Sequence, residues 1–405
     1  MAYLKRESYL QFLRDSKDKP IIKVISGVRR SGKSTLFELF IAELRENGVK
    51  DENIIQINFE YLENYDLREF QKLHDTILEQ MSPTGKNYIF LDEIQHVVQF
   101  ELVVDSLFVR KNVDLYITGS NAYFLSGELA TNLSGRYIEL KMLPLSLKEF
   151  KNWHDENQID ITKEALYTKY LKSSFPYVLF TDSDAERLNY LQGVFNTVVL
   201  KDIVERLKVS DVTTLERLIQ SIFSSIGSEI SVNKIVNTLV SSGTKLTNQT
   251  AARWLKGILD SLIIYQARNY DVHGRSLLTT GQKFYVVDIG LRQLLLPDHV
   301  EDRGHILENV VYLELLRRGN TVFVGKTKKY EVDFVAIQPN GDISYYQVSE
   351  TTLDPNTLNR ELRSLEDIDD NYPKYLLTLD TIQPQANFNG IIRENAIDWL
   401  LGIEG

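Results

Sequence analysis

Residues 21–34 read IIKVISGVRRSGKS, and this stretch decides the fold of the N-terminal part of the chain. Residues 21–26 form a short apolar run of the kind that makes a buried strand. Residues 27–34 satisfy the pattern G-x-x-x-x-G-K-[ST], between that strand and a helix predicted over residues 33–46. Its two glycines allow a tight turn whose backbone N–H groups face inward, and the helix N-terminus adds partial positive charge. The predicted nucleotide-binding residues are therefore Gly27, Val28, Arg29, Arg30, Ser31, Gly32, Lys33, Ser34 and Thr35. Lys33 is placed to reach the β- and γ-phosphates, and the Ser34 hydroxyl to ligate Mg²⁺.

Such a loop needs a carboxylate at the end of a neighbouring strand. Residues 87–91 (NYIFL) predict that strand, and Asp92-Glu93 ends it. Asp92 is the candidate for holding Mg²⁺ through water, and Glu93 for polarising the attacking water. A further strand at residues 113–118 runs into Gly119-Ser120-Asn121, where Asn121 could sense the γ-phosphate. Arg136 is a candidate arginine finger toward a neighbouring subunit. Its competing reading is a structural ion pair.

Working outward, residues 53–59 predict another strand and residues 67–80 a helix, so the first third alternates strand and helix. That order predicts a parallel sheet covered on both faces. Residues 145–262 are mostly helical by periodicity. Within them, Ser231 caps a predicted helix over 232–240, a turn follows at 241–245, and Thr247 caps a second helix over 248–262. This is the spacing of a helix-turn-helix, with residues 262–268 and the 271–274 turn as a wing. From residue 283 onward a helix at 305–318, strands at 322–324, 332–337 and 343–348, a helix at 356–365 and a strand at 375–379 predict a small α/β domain. The expected division is 1–145, 146–205, 206–280 and 281–405.

Composition narrows the function classes. The chain has 405 residues, no cysteine and a net charge of −10. Disulfides and thiolate metal sites are excluded, and a uniformly basic nucleic-acid coat is too. The start MAYLKRESYLQFLRDS lacks a signal-peptide pattern and no apolar run is long enough for a membrane helix, so the expectation is a cytoplasmic protein without a membrane partner.

The strings VISGVRRSGKSTL, FLDEIQ and ITGSNA…LSG…LSGRYIELKMLPLSLKEF resemble a group of prokaryotic AAA+ ATPases. Their C-terminal part is a domain of unknown function similar to a PD-(D/E)xK restriction-endonuclease fold. The resemblance continues through LKDIVER (200–206), KFYVVDIGLR (283–292), GHILENVVYLELLRRG (304–319) and EVDFV (331–335). It implies an α/β chain with an N-terminal P-loop NTPase (AAA+) parallel sheet, a central helical and winged-helix part, and a C-terminal restriction-endonuclease-like domain. It also implies ATP as the nucleotide, ATPase activity and often a homo-oligomer. Ser173-Ser174-Phe175-Pro176 stands where the family often has Gly-Gly-Phe-Pro, and that departure is left without a role.

By the same resemblance Glu308, Asp333 and Gln347 occupy the positions of nuclease metal ligands. Ser349 stands where the essential lysine belongs, which favours an inactive remnant; Lys326, Lys328 or Lys329 are alternative sources of the charge. In the helix-turn-helix, Thr247, Asn248, Gln249, Arg253 and Lys256 are candidate DNA contacts, while Trp254, Leu255 and Ile258 read as core. Residues 201–275 carry ten Lys and Arg against seven Asp and Glu, a net of +3 in an acidic chain. A lid or protein-docking role is the alternative. The leading reading is an ATP-driven switch or motor acting on nucleic acid or an unknown protein partner; the others are a slow nucleotide-gated regulator and an ATP-gated nuclease.

Overall fold

The structure is a computed structural model that describes residues 4–122, 133, 135–297 and 302–403. The chain divides into two compact units, residues 1–142 with 260–262, and residues 143–259 with 263–405.

The first unit is built on five strands: β1 (Ile22–Ser26), β2 (Ile54–Asn58), β3 (Asn87–Asp92), β4 (Val113–Gly119) and β5 (Tyr137–Lys141). They lie in the order β2-β3-β4-β1-β5, and every pairing is parallel. Every residue of β1 and β3 is buried, as expected for a parallel sheet covered on both faces. Ile22 and Val24 point into one core layer with Leu73 and Ile77 of helix Phe70–Gln80 and Val103, Val104 and Leu107 of helix Phe100–Phe108. Ile25 points into the other, with Leu36, Phe37 and Phe40 of helix Lys33–Glu46 and Tyr9 and Leu13 of helix Glu7–Ser16. Phe90 anchors that second layer, stacked on Tyr116 at 4.6 Å between ring centres and meeting Phe37 edge-on at 5.1 Å. Each such buried side chain contributes roughly 1.5–3 kcal/mol. The predicted strands and helices of this unit form within a few residues of their expected bounds.

The second unit carries an eight-stranded mixed sheet of β6 (Ile264–Asp271), β7 (Ser276–Val286), β8 (Thr321–Lys326), β9 (Glu331–Ile337), β10 (Ile343–Ser349), β11 (Lys374–Thr378), β12 (Ala386–Phe388) and β13 (Ile391–Asn395). Their order is β12-β13-β11-β10-β9-β8-β6-β7. The predicted helices appear as Val232–Ser241 and Asn248–Asp260, with Ser231 and Thr247 accepting the expected cap hydrogen bonds from the Lys234 and Thr250 amides. The second helix stops short of residue 262, because Leu262 has φ +61°, outside the helical region.

The hairpin expected as a wing does form, and it is joined to a larger sheet. β6 and β7 do pair as an antiparallel hairpin, but β6 also pairs in parallel with β8. Backbone hydrogen bonding therefore makes the hairpin one edge of the eight-stranded sheet, and the division at residue 280 falls inside β7. Ser173 has φ 177°, which is extended backbone, and neither Ser173 nor Ser174 takes the left-handed conformation that favours glycine. Their hydroxyls and the Ser174 amide donate to the buried Asp288 carboxylate, a bonding role for the Ser-Ser pair.

Candidate functional site

The phosphate loop leaves β1 at Ser26 and turns over the C-terminal edge of the sheet. Gly27 is required there, since a Cβ would lie 2.3 Å from the Met142 carbonyl oxygen. Arg30 and Gly32 take positive φ of 66° and 100°, and Gly32 in this conformation caps helix Lys33–Glu46. The loop is braced from behind by Arg6, which donates to the Ser31 carbonyl at 3.1 Å. The Ser31 hydroxyl is buried with no hydrogen-bond partner among the described residues, and it lies against Gly27 within the loop.

Because β4 lies between β1 and β3, the ends of three strands converge on the loop. The buried Lys33 ammonium donates to the Gly27 carbonyl at 2.9 Å and lies 3.2 Å from Glu93 Oε1. Asp92 accepts from the Ser34 and Thr118 hydroxyls and, at 2.8 Å, from the Asn58 amide. The Glu93 backbone amide donates to Thr118 Oγ1 at 2.8 Å, and Glu93 itself sits at φ +58°. Gln95 donates to Glu93 and to Ser120.

The two acids are tuned in opposite directions. Burial opposes the charge on Glu93, yet the Lys33 ammonium and the Gln95 amide outweigh it and hold the carboxyl down to about 2. Burial wins at Asp92 and pushes its carboxyl up, against the hydrogen bonds from Ser34 and Thr118. A charged carboxylate, Glu93, thus sits beside a second acid, Asp92, held by two hydroxyls. The oxygens of Ser34 and Asp92, already linked, form a donor set that suits a hard divalent cation.

The structure places the other predicted residues as follows. Val28 and Arg29 are buried, Arg30 is exposed, and Thr35 is half-buried on the first helical turn. Arg29 donates to Glu60 at 2.6 Å. Asn121 is buried just beyond the end of β4. Arg136 is not brought to this chain's phosphate loop. It precedes β5 and its carbonyl accepts from the Ile22 amide, at the other end of β1. Its guanidinium pairs with Asp105. The five residues of β1 separate it from the loop by about 15 Å. Residues 125–127 (LSG) lie outside the described residues. Sequence reasoning missed Asn58, Glu60, Gln95 and Thr118; for Asn58 and Thr118 a polar residue at the end of an apolar strand was the available signal.

In the second unit Glu308, Asp333 and Gln347 do come together. Gln347 Oε1 accepts from the Asp333 amide at 3.3 Å, and Asp333 accepts from the Val348 amide at 2.8 Å. The missed member is Lys283 on β7. Its ammonium lies 2.9 Å from Glu308, 2.7 Å from Glu331 and 3.7 Å from Asp333. Tyr285 donates to Glu308 at 2.6 Å. Burial and the Glu308 charge push Asp333 well up. Of the lysines named earlier, Lys326 pairs with Glu229 and Glu331 instead. Among the described residues no group of three or more His, Asp or Glu is arranged to hold a metal ion.

On helix Asn248–Asp260, Asn248, Gln249, Arg253 and Lys256 are exposed, as is Thr247 before it, while Trp254, Leu255 and Ile258 are buried. No helix of the described residues is long and apolar enough to cross a membrane.

Comparison with known proteins adds to this geometry. A family model described as an AAA domain matches residues 19–151, and one described as a domain of unknown function (DUF8612) matches residues 163–301. An uncharacterized protein of Haemophilus influenzae is 39% identical over 402 residues, 99% of each chain. An uncharacterized protein of Methanocaldococcus jannaschii is 31% identical over 361 residues, 85% of this chain and 78% of its own. Among solved structures, the Walker-type ATPase of Pyrococcus abyssi superposes with a TM-score of 0.48 at 18% identity, covering 72% of this chain and 96% of that one. The Orc1 protein of Aeropyrum pernix in complex with DNA gives 0.35 at 13%, covering 75% and 94%. The chain therefore belongs to one family with the Haemophilus influenzae and Methanocaldococcus jannaschii proteins, and its N-terminal part is an AAA domain of the P-loop, nucleotide-binding kind.

Proposed function

We propose that the chain is a Mg²⁺-dependent ATPase that works as a nucleotide-driven switch or motor in the cytoplasm. The observation that carries this reading is the convergence of Lys33, Glu93 and the Ser34–Asp92 pair at one loop. Phosphoryl transfer is catalysed mainly by positioning and charge stabilisation, which these groups supply. Ser34 and Asp92 would hold Mg²⁺, which neutralises phosphate charge when bound. The inward N–H groups and Lys33 would hold the β- and γ-phosphates. Glu93, charged and fixed by Gln95, would accept a proton from the attacking water. Asn121 would report the γ-phosphate, and Arg136, remote from its own loop, would act on a neighbouring subunit's nucleotide. The test is Mg²⁺-dependent ATP hydrolysis that disappears in Lys33→Ala; hydrolysis surviving that change would defeat the assignment.

The exposure of Asn248, Gln249, Arg253 and Lys256 on one helix, and of Thr247 just before it, supports DNA as the object of the switch. A restriction-endonuclease-like origin for the C-terminal sheet is our reading of the Glu308, Asp333 and Gln347 cluster. Lys283 already neutralises those carboxylates, which supports an inactive remnant. Cleavage of supercoiled DNA with Mg²⁺ and ATP, lost in Asp333→Ala, would overturn that part.

A further inference from the structure

The segment after β2 is apolar where it should be polar. Tyr61 is 54% exposed, Leu62 85% and Tyr65 58%, and nearby Val98 is 69% exposed. Leu62 and Tyr65 lie three apart in the 3₁₀ helix Leu62–Arg68, a spacing at which side chains eclipse. Val98 is tied to this helix by its amide, which donates to the Arg68 carbonyl at 3.1 Å. A cluster of this kind marks an interaction surface.

Its rim is acidic. Glu60, Glu63, Asp66 and Glu69 are all exposed; Glu60 pairs with Arg29 and Glu69 with Lys72, which leaves Glu63 and Asp66 to face an incoming chain, and Arg68 is turned inward to donate to the Phe59 carbonyl and lies over the Tyr65 ring. Anionic phosphates are repelled by such a rim, so nucleic acid does not fit. A cationic chain does. Four side chains also make a patch well below the roughly 800 Å² per partner of a stable interface between folded proteins. A short segment fits where a second folded copy does not.

The patch is wired to the phosphate loop on two sides. Glu60, beside Tyr61, accepts from Arg29 of the loop at 2.6 Å. Asn58 donates to Asp92 at 2.8 Å, and its own carbonyl accepts from the Asn64 side chain at 2.8 Å. We propose that Tyr61, Leu62, Tyr65 and Val98 form a docking surface for a short basic polypeptide segment with apolar anchors, whose affinity is set by nucleotide through the Arg29–Glu60 and Asp92–Asn58 contacts. The nucleotide coupling rests on the ATPase reading; the docking surface does not.

The test uses the full chain and a short fluorescein-labelled peptide of alternating lysine and leucine, with a glutamate–leucine peptide and a single-stranded oligonucleotide as competitors. Anisotropy should show binding of the lysine–leucine peptide that only the unlabelled form of the same peptide displaces. Leu62→Ser and Glu63→Lys should each weaken it about tenfold. A fluorescent ATP analogue, read in the same samples, should bind those variants as it binds wild type. Affinity should differ severalfold between Mg-ATP and Mg-ADP, and Glu60→Gln should erase that difference. Peptide binding unchanged in Leu62→Ser, displacement by the glutamate–leucine peptide or the oligonucleotide, or a Leu62→Ser change in sedimenting mass would overturn the proposal. Loss of analogue binding in wild type would defeat the ATPase reading separately.

Discussion

The Lys33 ammonium and the Glu93 carboxylate lie 3.2 Å apart, and both side chains are buried. Lys33 is a main reason that Glu93 keeps its charge in a buried position. On the proposed mechanism a phosphate group arriving at the loop would compete with Glu93 for Lys33, and Glu93 released from that pair would take a proton from water.

Glu93→Gln should keep nucleotide binding and lose turnover by about 10²- to 10⁴-fold, the usual contribution of a general base. Binding of a fluorescent ATP analogue and phosphate release, measured on one preparation, check this. Normal hydrolysis would remove Glu93 from the mechanism.

The pH dependence of stability follows from the same pair. Glu93 falls from 4.5 to about 2 on folding, so its contribution is full above pH 4.5 and is lost as pH falls through about 2. Asp92 has the opposite sign: its carboxyl is raised, so ionising it costs stability as pH climbs above 3.8. Urea midpoints taken downward from neutral pH should therefore drop more in wild type than in Glu93→Gln. Parallel curves would mean that Glu93 is not held by Lys33.

Arg136→Ala should leave nucleotide affinity intact and lower turnover, by up to 10³-fold or more for an arginine finger. Mixing Arg136→Ala with Lys33→Ala tests whether it acts across subunits. Activity regained on mixing is the expected result; additive inactivity assigns Arg136 to its Asp105 ion pair alone.

Lys283→Met should cost about 3–5 kcal/mol, since it strands the buried Glu308 without its cation, while Glu331 keeps Lys326. Adding Glu308→Gln should recover part of the loss. Urea denaturation gives both values, and an unchanged midpoint would show the cluster to be solvated.

Arg253→Ala with Lys256→Ala should weaken DNA binding and flatten its dependence on salt by about two in the logarithmic slope. Filter binding across a salt series measures it. Identical slopes would leave the helix without phosphate contacts.

Most of the first unit was legible in the sequence because its signals are local. A strand, a Gly-rich turn and a helix are contiguous in residues 21–46, and the acid pair ends an unbroken apolar run at residues 87–91. The joining of the wing hairpin to β8 was not legible, because β6 and β7 look the same in sequence whether they stand alone or join β8; only the parallel pairing of Asn269–Asp271 with Val324–Lys326 decides it. Lys283 was missed for the same reason. Nothing in KFYVV says that its ammonium meets Glu308, Glu331 and Asp333 from other elements, and burial, not composition, makes it their counterion. The sequence by itself determined which residues make the phosphate loop, because a backbone turn of that kind needs glycine and lysine at fixed spacing. Tertiary structure alone decided that Lys33 faces Glu93, that Arg136 stands at the far end of the sheet, and that Tyr61 and Leu62 remain in water, because each depends on strand order between residues distant in the chain.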